Sequence, residues 1–60
     1  MNPTLRMLVK DMYQSLKPSY SSLTLEWLLE EADRQVKGEQ PQQVTGMFLN
    51  RYLKEIGTIK

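Results

Sequence analysis

The stretch TLEWLLEEADRQVKG, Thr24 to Gly38, carries the marks of one amphipathic helix from start to stop. Thr24 is a residue type that caps a helix start by accepting a backbone N–H, and Leu23 and Leu28 stand at the spacing of a hydrophobic staple across it. Leu25, Leu28, Leu29, Ala32 and Val36 follow at i, i+3, i+4, i+7 and i+11, the stripe of a helix buried on one side. Gly38 sits where a glycine ends such a helix. The spacing predicts a helix over 25–37.

Toward the N-terminus the same logic repeats. Pro18-Ser19-Tyr20-Ser21-Ser22 reads as a loop, and before it Leu5, Leu8, Val9, Met12 and Leu16 recur at helical spacing. Asn2 is placed to cap this helix and Pro3 to be its first residue, where a missing N–H costs nothing, so a helix is expected over 3–17. Residues 4–17 and 24–37 align with Thr4/Thr24, Leu5/Leu25, Leu8/Leu28 and Lys17/Lys37 identical. Two capped helices with one stripe match this well by physics alone, and repeat architectures need more copies than two.

Toward the C-terminus, Gly38-Glu39-Gln40 makes a short connection and Pro41 is another natural first residue, which predicts a third helix over 41–56 ended by Gly57. Its core face reads Thr45, Phe48, Leu49, Tyr52, Leu53 and Ile56. Gly46 within it costs about 1 kcal/mol against Ala, so it either permits close approach of another backbone or is simply tolerated. Short loops make consecutive helices neighbours, so the expectation is one all-α domain over 1–60, a compact array of three helices. Met1 directly before a capped helix is what a complete small protein would show.

Size bears on partners. For 60 residues, area scaling gives a folded surface of about 4,000 Å² against about 10,000 Å² unfolded. If roughly 60% of the buried area is apolar, burial yields about 90 kcal/mol, against about 90 kcal/mol of conformational entropy. The balance is near zero, and with no Cys and no His the usual disulfide or metal supplements are missing. Self-association as a homodimer, together with a larger protein partner, is the expected supplement.

The formal net charge of +1 recommends neither nucleic acid nor an anionic membrane as a whole-molecule partner. Apolar runs reach only three residues, Trp27-Leu28-Leu29 and Met47-Phe48-Leu49, far short of a membrane span. Arg6, Lys10 and Asp11 interrupt what would be the apolar part of a signal peptide, so the expected location is cytoplasmic.

Catalysis near neutral pH most often uses His, and Ser or Cys nucleophiles need an activating base; this chain offers neither His nor Cys. Lys17 with Ser19, Ser21 or Ser22 could form a Ser–Lys pair on paper, but a loop has its own reasons to hold serines. Glycines are isolated, so there is no phosphate cradle. Glu26, Glu30, Glu31 and Asp33 read as a solvated helix face, with Glu30–Arg34 and Asp33–Lys37 as supporting i,i+4 pairs, rather than as a cation site. No catalytic residue, cofactor, metal site or small-molecule substrate is expected.

Two interaction surfaces remain. At about 100° per residue, Trp27 falls on the far side of its helix from the stripe, among Glu30, Glu31 and Arg34, a poor place for tryptophan unless it anchors a partner or folds back over the 18–22 loop. Met7 is off-stripe on the first helix, and Val44 and Met47 lie outside the main arc of the third. Trp27, Met7, Val44 and Met47 are therefore the candidate partner-binding residues of a non-catalytic protein–protein interaction module. The alternative is a helix-turn-helix DNA-binding regulator whose recognition helix, 41–56, presents Gln43, Asn50, Arg51 and Lys54 to base edges and phosphates. Against it, residues 38–60 carry three basic side chains and two acidic ones, and the preceding helix would bring four carboxylates toward DNA.

Overall fold

The computed structural model describes residues 1–60 and contains three α-helices and no strand: α1 (Pro3–Leu16), α2 (Leu25–Val36) and α3 (Val44–Glu55). Asn2 caps α1 by accepting from the Thr4 N–H at 2.8 Å, with Pro3 at the first position as its fixed φ favours. Thr24 caps α2 by accepting from the Trp27 N–H at 3.2 Å, and the stapled pair Leu23 and Leu28 is buried. No helix is long and apolar enough to cross a membrane.

Both later helices end in Schellman motifs. At φ +101° Gly38 donates its N–H to Gln35, while the Glu39 N–H reaches back to Arg34. At φ +80° Gly57 donates to Lys54, and the Thr58 N–H bonds Leu53. Only glycine reaches this left-handed backbone without a Cβ penalty, so these two residues turn the chain where the helices stop. The second turn returns Ile59 against the core.

Helix α3 begins at Val44, not at Pro41 as its proline suggests. Neither Gln40 nor the observed cap residue Gln43 is a good capping type, so the start is set by the buried seat of Thr45 and Gly46, the latter accepting at its carbonyl from Gln35 of α2. The connection from α2 to α3 is residues 37–43.

Helix α2 lies between the other two and packs on both, while α1 and α3 meet less extensively. The buried core is Val9, Leu23, Leu28, Ala32, Leu49 and Leu53, with Leu5, Met12, Tyr13, Leu16, Tyr20, Trp27, Leu29 and Ile59 packed around it. A helix flanked on two sides buries a wider arc than one apolar stripe. The buried face of α2 is accordingly turned toward Glu31 and Gln35, which join Leu28 and Ala32 inside, while Val36 is exposed. The solvated-face reading therefore fails at Glu31. On α3 the core reading fails at Phe48 and Ile56, which are exposed, while Thr45, Gly46, Leu49 and Leu53 form the buried side. The molecule measures 28 × 22 × 18 Å with a surface of 4211 Å², close to the area expected for its size.

Candidate interaction site

The polar seam between α2 and α3 fixes how α3 sits. The Glu31 carboxylate is fully buried and accepts from Arg34 Nη2 at 2.7 Å and, more weakly, from Gln35 Nε2 at 3.3 Å. Gln35 Nε2 also donates across the seam to the Gly46 carbonyl at 2.9 Å. Arg34 thus pairs with Glu31 rather than with Glu30, and hydrogen bonding to that carboxylate raises the guanidinium above its ordinary pKa. What comes close to Gly46 is the Glu31 side chain rather than a backbone: a Cβ at position 46 would meet Glu31 Cδ and Oε1 at 3.5 Å. On the outer side, Asp33 pairs with Lys37 at 3.0 Å, and that hydrogen bond and charge hold the carboxyl below its ordinary pKa. No three acidic side chains converge on one point.

Lys17 is committed to closing the 18–22 loop. Its Nζ donates to the carbonyls of Ser21 at 3.2 Å and Leu23 at 3.0 Å and lies 5.7 Å from the Tyr13 ring centre; it bonds no serine hydroxyl. The same loop presents Tyr20, whose ring is tilted against Phe48 with centroids 6.3 Å apart.

With its buried side set by the polar seam, α3 turns Val44, Met47, Phe48 and Arg51 outward around one cleft. These positions are i, i+3, i+4 and i+7, a complete helical stripe, and at about 100° per residue it is centred roughly opposite Leu49 and Leu53. Val44 is 57% exposed, Met47 61% and Phe48 41%. The sequence-based candidates therefore divide. Val44 and Met47 come together, and Phe48, assigned to the core by its spacing, completes their surface. Met7 is exposed on α1 and borders none of the clefts that hold the α3 residues. Trp27 is half-buried against the core, folded beside the 18–22 loop with Tyr20 and Leu23.

The polar candidates divide too. Asn50, Arg51 and Lys54 line one side of α3 with Pro41 and Met47, whereas Gln43 stands at the N-terminus of that helix near Trp27. A second apolar groove, formed by Met1, Leu5, Leu8, Val36 and Ile56, runs where α1 begins and α2 and α3 end. The signal for it lay in Val36 and Ile56, each counted as core from helical spacing alone. Compared with protein-family models, curated proteins and solved structures, the chain matches none of them.

Proposed function

We propose that this domain is a non-catalytic protein–protein interaction module that pairs with a second copy of itself through the outer face of α3. The observation that carries the reading is that α3 is apolar on two opposite sides. Leu49 and Leu53 are buried inside, and Val44, Met47 and Phe48 are exposed outside. A helix apolar on both sides is normally covered on both sides, and this one is covered on one.

A second copy suits the face better than a charged partner does, because its only ionised group within the stripe is Arg51, whose stem lies along the same cleft. Met47 is unbranched and polarizable, a side chain that adapts to the irregular seam where two copies meet. One helix per copy makes a small interface, below the ~1,200 Å² of standard complexes, the size class of weak and transient pairings. The domain's size supports a larger protein partner as well, and the reading places the module in the cytoplasm. The helix-turn-helix alternative draws less support, since residues 37–43 form a longer link than the three- or four-residue turn of that motif.

Sedimentation equilibrium across about a hundredfold concentration range tests the pairing. The parent chain is expected to shift from monomer to dimer, and Met47→Glu, at an exposed position, to remain a folded monomer throughout. A parent chain that stays monomeric up to about 1 mM overturns the reading.

A further inference from the structure

We propose that the cleft between the N-termini of α2 and α3 binds a carboxylate carried on an apolar body. This inference stands apart from the outer face of α3 and uses none of the side chains that form it. The cleft has a volume of about 290 Å³ and is lined by Tyr20, Ser22, Leu23, Thr24, Trp27, Gln43 and Thr45. That is the small end of ligand sites, the scale of a single amino-acid side chain with its terminal group.

The polar end of the site is Thr45, in the first turn of α3. The first backbone hydrogen bond of that helix runs from the Met47 N–H to the Gln43 carbonyl, so the Val44, Thr45 and Gly46 N–H groups have no helical acceptor. The Gln43 side chain does not cap them. Thr45 supplies the second, independent observation. It is only 6% exposed, yet it borders the cleft, and its hydroxyl makes no hydrogen bond with the protein. That oxygen is not among the fully enclosed polar atoms lacking a partner, so the little surface Thr45 keeps includes it. Of the three residues with free N–H groups only Thr45 lines the cleft, and its buried hydroxyl with its own N–H is the donor pair offered to an oxyanion.

The walls decide which oxyanion. No Lys or Arg borders the cleft, and Glu31, which contacts Gly46, has its charge paired with Arg34. Glu26 in the first turn of α2 is the nearest unpaired acid in sequence to the opposite wall. A phosphate dianion without a guanidinium is poorly matched here; a carboxylate monoanion asks less of the site. Tyr20, Leu23 and Trp27 form the apolar wall, so the carboxylate arrives on an aliphatic or aromatic body. Both a peptide ending in such a residue and a free carboxylic acid carry that chemistry.

The test is a titration of the isotope-labelled chain with N-acetyl-leucine, followed through the amide signals of Thr45 and Gly46 and the Trp27 indole N–H. Saturable shifts below about 10 mM are expected, with the neutral N-acetyl-leucinamide at least about tenfold weaker. Thr45→Val keeps the shape without the hydroxyl and is expected to weaken binding about tenfold, its fold checked by circular dichroism. Because that change sits in a buried position, Thr45→Ser, which keeps the hydroxyl, serves as the second variant and is expected to retain binding. A tetrapeptide ending in leucine that binds more tightly than N-acetyl-leucine identifies a peptide terminus as the source; equal affinity identifies a free acid. Equal shifts with N-acetyl-leucinamide, tighter binding of inorganic phosphate, or no saturation with any of these probes overturns the proposal.

Discussion

At its boundary with α2, α1 brings Leu5, Val9, Met12 and Leu16 to the core, α2 meets it with Leu28, Leu29 and Ala32, and no side-chain hydrogen bond joins the two helices. At its boundary with α3, α2 instead presents a buried carboxylate, an amide that crosses to the Gly46 carbonyl, and an arginine that closes the group. An apolar seam is tolerant: side chains of similar volume pack in more than one register. A polar seam has one good arrangement, because a buried carboxylate or amide displaced from its partners is left unsatisfied. The difference teaches why α3 faces as it does. Gln35 and Glu31 hold the Gly46 side of the helix inward, and Val44, Met47 and Phe48 are consequently left outside.

The strongest way to break this comparison is to delete material from each seam in turn. Leu28 is fully buried in the apolar core, and Leu28→Ala is expected to cost about 3 kcal/mol, a large part of the stability of so small a domain. Glu31→Leu combined with Arg34→Leu removes both charges but keeps bulk, and replacing a buried ion pair with well-packed apolar groups is often close to neutral, so a change within about 1 kcal/mol is expected. Chemical denaturation followed by circular dichroism measures both. If this double variant costs as much as Leu28→Ala, the polar seam stabilises rather than specifies, and its contrast with the apolar seam disappears. If it is near neutral while the α3 amide signals broaden or double, the seam acts on register, as argued.

The same contrast decides what was readable in the sequence. The caps at Asn2 and Thr24, the staple of Leu23 with Leu28 and the stops at Gly38 and Gly57 are local, made by groups a few residues apart, and all are found where their spacing placed them. The α1–α2 seam was readable because apolar stripes announce themselves by period. The polar seam was not: Glu31, Arg34 and Gln35 look like solvent-facing residues until a third helix covers them, and hydropathy has no sign for a carboxylate that is satisfied inside. Phe48 was misread for a related reason, since on a helix apolar on two sides the period alone does not say which side is in. Val44 and Met47 were recognised as surplus to one core, which is the part of the candidate surface that composition could show. The start of α3 was missed because Pro41 is a weak local signal and the contacts that set the first turn come from α2.

Gly46 sharpens the comparison at a smaller scale. If the polar seam held the helices at their closest approach, a methyl group there would be rejected. A Cβ at position 46 instead meets Glu31 Cδ and Oε1 at 3.5 Å, ordinary contact. Alanine also favours the helix over glycine by about 1 kcal/mol, so Gly46→Ala is expected to stabilise the domain by up to about that amount. Thermal or chemical unfolding is the measurement. A loss of stability would mean that the seam tolerates no volume and that Gly46 is required for approach. Gly46→Leu, which must displace Glu31 from Arg34, is expected to destabilise in either case.

The smallest effect concerns the pair that resembles the polar seam in chemistry but not in setting. Asp33 and Lys37 meet at 3.0 Å on the outer side of α2, both side chains well exposed to water. Hydrogen bonding to Lys37 and its charge lower the Asp33 pKa in the folded chain. A carboxyl with a lowered folded pKa binds fewer protons folded than unfolded over that window, so its contribution is present above the ordinary carboxylate range and is lost as pH falls through the folded value. Asp33→Asn is therefore expected to lower stability slightly at neutral pH and to leave it unchanged well below the carboxylate range, which flattens the acid limb. Added salt should abolish even that difference, because exposed pairs are screened. The buried Glu31–Arg34 pair has water on only one side and should keep its influence under the same salt. Measuring unfolding of both Asp33→Asn and Glu31→Leu at low and high ionic strength separates the two. Equal salt sensitivity would show that burial of the carboxylate gives the seam no protection from screening, and would remove the physical basis for treating it as the element that orients α3.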